Sequence, residues 1–291
     1  MGNPISIILL TFNEEANIRR CLESIKDLTE DIVIIDSFST DSTLKICKEY
    51  GCRIVQNRFV NHAVQFNWAL DNVPLHRPWL LRLDSDEILP TKLKRELLEL
   101  TMFSSPDITG IYLNRRTLFM NRWLKHGGMY PHYILRIFRN RAGRYEEKTE
   151  EHLVLKNGRA IHAKEDFVED NRQNTLKYWL KKHDELSDGE IRDTLLETWD
   201  PHRDLTPRLF GTKVERTRWL KMYVYARSPL FVRGLLYFLY RYVVRLGFLD
   251  GVPGLIFHVL QAFWYRFYID ARIYEIRSQW QSTARDYRDI E

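Results

Sequence analysis

The stretch LLRLDSDEILP, residues 80–90, decides how the N-terminal half of this sequence is interpreted. Its apolar residues run up to Leu83 and are followed at once by three carboxylates, Asp84, Asp86 and Glu87. Charged groups are costly to bury without a partner, so their position after an apolar run needs a physical reason. The stretch predicts a buried strand whose carboxyl end delivers acidic side chains to a site.

The segments around this stretch alternate between apolar strands and amphipathic helices. Strands are predicted over 5–11, 31–37, 52–56, 79–85 and 108–116, and helices over 13–28, 39–51, 61–73 and 90–102. Alternation of strands with helices of ten or more residues indicates crossover connections. The sequence therefore predicts an α/β fold with a mostly parallel central sheet.

The remaining part of the chain differs in composition. The segment DPHRDLTPR, residues 200–208, contains two prolines and is predicted to be a loop or linker, which divides the chain into a domain of 1–207 and a region of 208–291. The second region carries 14 Lys+Arg against 7 Asp+Glu and is rich in aromatic residues. Its charge favours a polyanionic partner, either a membrane or a nucleic acid.

The overall composition places the protein among globular chains. Its 291 residues are 44% hydrophobic, which is enough for a substantial core. Three cysteines without a pairing pattern suggest a reducing compartment, and the N-terminus lacks the features of a secretory signal. We therefore expect a cytoplasmic protein.

Three polar clusters follow predicted strands: TFNEE at 11–15, DSFSTD at 36–41 and DSDE at 84–87. Ligands of open parallel sheets bind at the carboxyl ends of the strands, so these clusters are expected to converge on one edge. Asp84 and Asp86 share a face of an extended segment, where a divalent cation would relieve their repulsion. Such oxygen ligands suit Mg²⁺ or Mn²⁺. The alternative is a solvated acidic loop in which Asp86 or Glu87 caps the next helix.

The chain contains neither a G-x-G-x-x-G motif nor a phosphate-binding G-x-x-x-x-G-K-[ST] loop. This disfavours a dinucleotide-dependent dehydrogenase and a P-loop nucleoside triphosphatase.

The segments ISIILLTFNEEANIRRCLESI, DIVIIDSFSTDST and LLRLDSDE together resemble glycosyltransferase family 2. The likeness continues through GGMYPHYILRIFRN, EEHLVL and GFLDGVPGLIFHVLQAFWYRFYIDARIYE, so it covers nearly the whole chain. It is strongest toward bacterial enzymes of lipopolysaccharide core or exopolysaccharide assembly. The resemblance implies a GT-A nucleotide-sugar-binding sandwich, followed here by an aromatic helical region, and transfer with inversion at the anomeric centre.

The resemblance also implies roles for particular residues. Asp36 would hydrogen-bond the nucleobase, typically uracil, while Asp84 would approach the ribose or the metal and Asp86 would bind the metal that bridges the diphosphate. The residues expected elsewhere around the nucleotide sugar are Thr11, Asn13, Glu14 and Gln65, although Gln65 is equally compatible with a plain helix surface.

An inverting transfer needs a base that deprotonates the acceptor hydroxyl. Aligning the apolar segment HLVL with the family pattern places this base at Glu151, with Glu150 where relatives carry histidine. A solvated acidic turn is the alternative. The acceptor is expected near Trp123, Tyr130 and Arg136, because aromatic rings and guanidinium groups suit sugars and phosphates; core packing is the alternative for Trp123.

The C-terminal region is too short and too charged in its apolar segments for a confident membrane span. Apolar faces edged by Arg233, Arg241 and Arg245 are typical of helices that lie at an anionic membrane surface; a layer packed on the catalytic domain is the alternative. We therefore expect a protein peripheral to the inner face of the plasma membrane, acting on a lipid-linked saccharide.

Three functions remain on sequence grounds. The leading one is a metal-dependent inverting glycosyltransferase that uses a nucleotide sugar, with UDP as the expected nucleotide. A nucleotidyltransferase also pairs carboxylates with a metal, but it usually shows a basic or glycine-rich phosphate loop. A nucleic-acid binder would use the basic tail, yet this tail has no Lys/Arg cluster, so no nucleic-acid partner is expected.

Overall fold

The structure is a computed structural model that describes residues 3–146, 153–173, 175–195, 210, 219, 223 and 228–288. Its contacts divide the chain into two compact units. Unit 1 comprises Met1–Lys125 and Met129–Thr175, and unit 2 comprises His126–Gly128 and Leu176–Glu291. The boundary expected between residues 207 and 208 lies outside the described residues and stays a prediction.

Unit 1 alternates strands and helices in its first hundred residues, as the sequence pattern predicts. Its helices are α1 (Ile18–Ile25), α2 (Thr43–Glu49), α3 (His62–Asn72) and α4 (Thr91–Phe103). Its strands are β1 (Ile5–Thr11), β2 (Ile32–Asp36), β3 (Arg53–Gln56), β4 (Trp79–Asp84), β5 (Glu87–Ile88), β6 (Ile108–Phe119), β7 (Arg122–Trp123), β8 (Tyr133–Arg139), β9 (Gly143–Tyr145), β10 (Leu153–Leu155) and β11 (Arg159–Glu169).

One nine-stranded sheet organises unit 1, in the order β3-β2-β1-β4-β8-β6-β11-β5 with β7 paired to β6. The first four strands are parallel, as crossover connections through α1, α2 and α3 require. β8 is antiparallel to both β4 and β6, whereas β6 and β11 are parallel. The predicted α/β class is confirmed.

The parallel strands are buried on both faces, which explains their continuous apolar sequence. Alternate residues of β1 enter two separate cores: Ile7 packs in the cluster that includes α1 and α4, and Ile8 packs in the cluster that includes α3. Trp79, Phe66 and Phe138 are the largest fully buried side chains of the described residues. This double-sided core holds the ends of the parallel strands in fixed register.

Unit 2 is helical in its described part. Its α-helices are α5 (Leu176–Leu195), α6 (Val232–Leu239), α7 (Gly251–His258) and α8 (Tyr265–Arg288). A π-helical segment, Tyr240–Val244, extends α6, and another, Val259–Trp264, connects α7 to α8. The segment GFLDGVPG, residues 247–254, is not a turn throughout, because α7 begins at Gly251 and includes Pro253 in its first turn, where a missing N–H is tolerated.

Among the described residues, no single helix is long and apolar enough to cross a membrane. The helical segments Val232–Val244 and Gly247–Gln279, bent by 70° relative to each other, meet the criteria of length and composition together.

Candidate active site

Three strand ends meet at one edge of the sheet in unit 1. In the register of the parallel strands, Thr11 of β1 lies opposite Asp36 of β2, and Leu10 lies opposite Asp84 of β4. The polar clusters that follow β1, β2 and β4 are therefore neighbours, as the strand pattern predicts. This edge is the position at which open α/β sheets bind ligands.

Asp36 is the centre of a hydrogen-bond network at the end of β2. Its carboxylate is fully buried and accepts hydrogen bonds from Thr11 Oγ1 at 3.0 Å, from Gln56 Nε2 at 3.1 Å, and from both the backbone N at 2.9 Å and the hydroxyl of Ser39. Four donors occupy the acceptor capacity of one carboxylate. In this structure Asp36 thus fixes Thr11 and the loop at Ser39, and a contact with a nucleobase would have to displace one of these donors.

The loop after β1 is fixed by contacts with the loop after β2. Asn13, at a left-handed φ of 54°, donates its backbone N–H to Ser39 Oγ at 2.9 Å and accepts from Thr40 N through its side-chain oxygen at 2.8 Å. Glu14 donates its backbone N–H to Thr43 Oγ1 at 2.7 Å. Asn tolerates this backbone region better than most residues. The two loops therefore form one preorganised rim around the strand ends.

Gln65 lies beneath the same rim on α3. It is fully buried, accepts a hydrogen bond from Asn57 Nδ2 at 2.8 Å, and donates to Asn57 O at 3.1 Å and to Ser37 Oγ at 3.3 Å. A buried amide with all these partners is not a plain helix surface. Gln65 holds the segments that follow β2 and β3, and it reaches the site through Ser37.

Two of the three carboxylates at the end of β4 are paired with arginines, one from β8 and one from β4 itself. Arg136 of β8 donates from Nη2 to Asp84 Oδ2 at 2.8 Å and also pairs with Glu87 Oε1. Glu87 Oε2 accepts the backbone N–H of Asp84 at 2.9 Å, and Arg82 Nε lies 3.5 Å from Asp84 Oδ1. Arg136 and Glu87 are both buried, so this ion pair is part of the interior as well as of the site.

The two carboxyl groups of this network titrate in opposite directions. Burial alone would raise the pKa of Asp84, but the positive charges of Arg136 and Arg82 outweigh it and hold that pKa well below its usual value. Burial raises the pKa of Glu87 above its usual value, and the charges of Asp84 and Asp86 raise it further, while the attraction of Arg136 opposes this increase without offsetting it. The negative charge of the network is therefore concentrated on Asp84 and the neighbouring Asp86.

Asp86 stands at the outer end of this acidic segment, half-buried, where its backbone O accepts the N–H of Asp170 at 2.9 Å. No group of three or more His, Cys, Asp or Glu side chains is arranged to hold a metal ion within the part of the chain that the structure describes. Asp84 and Asp86 supply carboxylate oxygens at the end of β4. Asp86 and Asp84 therefore fit a hard divalent cation that takes its remaining oxygens from substrate phosphates.

The three residues expected around the acceptor make different contacts in unit 1. Trp123 and Tyr130 lie together, with ring centroids 5.2 Å apart, and Tyr130 donates to the buried Asp166 at 3.1 Å. Arg136 belongs to the carboxylate network of Asp84. The guanidinium of Arg116 lies 4.7 Å from the Trp123 ring and pairs with Asp166 at 2.6 Å. The aromatic pair thus contacts Asp166 through Tyr130, whereas Arg136 contacts Asp84 and Glu87.

A family model described as glycosyl transferase family 2 matches residues 6–155, which contain all three polar strand ends. The chain belongs to this family. The GT-A architecture expected from the resemblance is confirmed, and family membership decides among the three functions considered in favour of a glycosyltransferase.

Two sequence relatives agree with this assignment. The lipopolysaccharide core biosynthesis glycosyltransferase LpsC of Rhizobium meliloti is 30% identical over 193 residues, which is 60% of this chain and 70% of that protein. An uncharacterized glycosyltransferase of Rickettsia typhi is 32% identical over 93 residues, but the chain spans only 31% of its length. A crystal structure of glucosyl-3-phosphoglycerate synthase from Mycobacterium tuberculosis is similar at 24% identity and a TM-score of 0.34, over 40% of this chain and 45% of that chain.

The residue expected to be the base of this glycosyltransferase, Glu151, lies with Glu150 outside the described residues. The strands on either side are described: Tyr145 of β9 pairs with Leu153 of β10 in an antiparallel ladder. Tyr145 also lies beneath the guanidinium of Arg82, at 4.7 Å from its ring centroid. The described strands that precede and follow Glu151 in the sequence thus include a residue, Tyr145, that contacts Arg82 in the carboxylate network.

Several residues of the site were not identified from the glycosyltransferase sequence. Arg82 interrupts the apolar run of β4, and a charged residue inside a buried strand was an available signal. Asn17 and Gln173 join the segment after β11 to the segment between β1 and α1. Asn17 Oδ1 accepts a hydrogen bond from the backbone N–H of Arg172 at 2.7 Å, and Gln173 Nε2 donates to Asn13 O at 2.8 Å. These contacts join residues about 155 positions apart and leave no local sequence pattern.

Proposed function

We propose that this protein is an inverting, metal-dependent glycosyltransferase that moves a sugar from a UDP-sugar to a lipid-linked saccharide. The process would be the assembly of lipopolysaccharide or of another cell-envelope polysaccharide, including exopolysaccharide. The observation that carries the proposal is the placement of Asp84 and Asp86 one strand away from the Thr11–Asp36 pair, at a single edge of the sheet. Acidic side chains would then face the diphosphate of the nucleotide sugar, and neutral polar groups would face its nucleoside.

The nucleoside would be bound by the rim at Asn13, Glu14 and Ser39. This rim is rigid before any ligand arrives, because Asp36 anchors Ser39 and Thr11 while Asn13 anchors Thr40. Preorganised polar groups lose less conformational freedom on binding and favour one orientation of the ligand. Gln65 would contribute indirectly, by fixing Ser37 and Asn57 beneath the nucleotide.

The diphosphate would be held through Mg²⁺ or Mn²⁺ by Asp86 and, in a shared role, by Asp84. When bound, such a cation stabilises the charge that accumulates on the departing nucleoside diphosphate. Arg136 and Arg82 keep Asp84 ionised and fix its carboxylate at the end of β4. Glu87 anchors the backbone of Asp84 and is not assigned to the cation.

Glu151 would accept the proton of the attacking acceptor hydroxyl. The acceptor saccharide would pack on Trp123 and Tyr130, since apolar faces of sugars stack on aromatic rings. The buried indole N–H of Trp123 has no hydrogen-bond partner within the described residues, so a hydroxyl of the acceptor would satisfy it. Arg136 is less suited to the acceptor, because its guanidinium is already engaged by two carboxylates.

The saccharide class is supported by the name of LpsC, a lipopolysaccharide core biosynthesis enzyme that matches 60% of the chain. A lipid-linked acceptor is further supported by the apolar and basic character of unit 2. We place the protein in the cytoplasm at the inner face of the plasma membrane, where nucleotide sugars are made and lipid-linked saccharides are extended.

The direct test is a screen of UDP-sugars and other nucleotide sugars for metal-dependent turnover, with lipid-linked and lipopolysaccharide-derived acceptors. We expect turnover with a UDP-sugar that requires Mg²⁺ or Mn²⁺ and gives a product of inverted anomeric configuration. Full activity in the presence of a chelator would refute the requirement for a divalent metal ion. A product of retained configuration would refute the single displacement assisted by Glu151.

A further inference from the structure

The bend of unit 2 exposes an apolar surface that the rest of the described fold does not use. Twelve large hydrophobic side chains are exposed between residues 232 and 255, whereas the described part of unit 1 exposes nine, scattered along its length. We call these twelve residues the bend surface: Val232, Leu235, Leu236, Leu239, Tyr240, Val243, Val244, Leu246, Phe248, Leu249, Val252 and Leu255. Contiguous exposed apolar surface of this extent marks an interaction site.

The spacing of these residues places the first half of them on one side of a helix. From Val232 to Val243 they recur every three or four positions, which places them on one side of α6 and of the π-helical segment that extends it. The opposite side faces the protein: Arg233 is 8% exposed and pairs through Nε with Asp270 of α8 at 2.7 Å, and Gly234 packs against Phe267. The helix therefore buries the side that carries Arg233 and Gly234, and its apolar side is exposed among the described residues.

The charge around the bend surface has a single sign. Between residues 232 and 265 the sequence contains one carboxylate, Asp250, and this side chain is 1% exposed. Asp250 accepts both the backbone N–H of His126 at 2.9 Å and a contact of 2.7 Å from the His126 ring. Arg245 is exposed beside the bend, and Arg241 is half-buried. The exposed surface is therefore apolar and cationic, which complements an anionic lipid bilayer.

The bend is held in shape by the segment His126–Gly128. Gly127 donates its backbone N–H to Arg245 O at 2.8 Å, and its own carbonyl accepts from Arg241 Nε at 2.7 Å. The ring of His258 occupies the space that side chains at Gly127 and Gly247 would fill, because an added Cβ would approach it to 2.1 Å and 2.7 Å. The bend is thus a packed corner that presents Leu246, Phe248 and Leu249 in a fixed arrangement.

We propose that the bend surface inserts into the headgroup region of an anionic bilayer, with Arg241 and Arg245 at the level of the lipid phosphates. The proposal deepens the function proposed above, because it names the surface by which this enzyme would reach a lipid-linked acceptor. It also corrects the sequence-based expectation for Arg233, which is buried against Asp270 and is not available to lipids. The two helical segments are bent by 70° relative to each other. The apolar corner between them, with Leu246, Phe248 and Leu249, would therefore enter the bilayer first.

The test is flotation of the full chain with vesicles of phosphatidylcholine alone and of phosphatidylcholine mixed with an equal amount of phosphatidylglycerol. We expect the wild type to float with the mixed vesicles. The triple variant Leu246→Ser, Phe248→Ser, Leu249→Ser should lower the bound fraction about tenfold, because binding scales with the apolar area that is buried. The matched control is Met102→Ser with Phe103→Ser, which removes exposed apolar residues of unit 1 and should float like the wild type.

A second variant separates charge from apolar contact. Arg245→Gln should weaken binding to the anionic vesicles and leave the small binding to neutral vesicles unchanged. The proposal is overturned if the triple variant floats as well as the wild type. It is equally overturned if the wild type does not float. In that case, sedimentation of the protein as a dimer would show that a second copy of the chain covers the surface.

Turnover in solution keeps this inference distinct from the proposed function. The triple variant should retain wild-type turnover of a UDP-sugar with a water-soluble acceptor analogue, since the changed residues lie outside the strand-end site. Flotation without turnover of any nucleotide sugar would refute the proposed function and leave the bend surface supported. Turnover without flotation would refute the bend surface and leave the proposed function supported.

Discussion

Arg136 joins β8 to the end of β4 by a 2.8 Å hydrogen bond to Asp84, a residue 52 positions earlier in the chain. The same guanidinium pairs with the buried Glu87, so one arginine holds two of the three carboxylates that follow β4. Asp86 is the third, and it is the residue that we propose to bind the cation of the substrate diphosphate.

The first prediction concerns the stability of this network. Arg136→Gln should lower the free energy of unfolding by about 3–5 kcal/mol, because it leaves buried carboxylates without their cation. The matched control is Arg144→Gln, which breaks an exposed pair with Asp71 and should cost about 1 kcal/mol or less. Urea unfolding of both variants measures the difference. Equal, small losses would show that Arg136 is not a structural cation.

The second prediction concerns His258 and pH. Burial lowers the pKa of this ring to about 4, the charge of Arg241 adds to the decrease, and Asp250 opposes it. The unfolded chain binds a proton near the usual value of about 6.5, so the folded state loses stability as the pH falls from 6.5 toward 4, and this contribution is fully present above 6.5.

The measurement is the urea midpoint at pH 7 and at pH 5. The midpoint of the wild type should fall more between these pH values than that of His258→Asn, which has no group to titrate at this position. Both proteins share the other eight histidines, so the difference isolates His258. A parallel decrease in the two proteins would contradict a neutral, enclosed ring.

The third prediction concerns the base. Glu151→Gln should retain binding of the nucleotide sugar and lose about 10² to 10⁴ in turnover, the usual contribution of a general base. Glu150→Gln, one position away, is its control and should change turnover much less. Turnover and binding of the donor are measured separately for each variant. The reverse order of effects would mean that the alignment of HLVL is shifted by one residue.

Much of unit 1 could be predicted from the sequence, because apolar runs separated by amphipathic helices have few other interpretations. The convergence of Thr11, Asp36 and Asp84 followed from the rule that parallel strands end at one edge. The partner of Asp84 did not follow, since nothing local in the segment around Arg136 indicates that β8 inserts antiparallel beside β4. Arg136 was instead expected near the acceptor, because guanidinium groups suit sugars and phosphates.

Unit 2 was predicted less well, because aromatic, arginine-bearing helices have the same composition whether they pack or face lipid. Arg233 and Arg245 have similar sequence surroundings, yet the first is buried in an ion pair with Asp270 and the second is exposed. The contact between Gly127 and His258 joins positions 131 residues apart, and only the folded chain shows why both Gly127 and Gly247 lack a side chain.

The central claim is that Asp86 offers a carboxylate to a cation-bound nucleoside diphosphate at the end of β4. It is tested most directly by calorimetric titration of UDP into the wild type and into Asp86→Asn, each with Mn²⁺ and with a chelator. The account predicts strong binding by the wild type with Mn²⁺, and weak binding in the other three combinations, with unchanged unfolding midpoints. Binding of UDP by Asp86→Asn that equals the wild type in Mn²⁺ would contradict it.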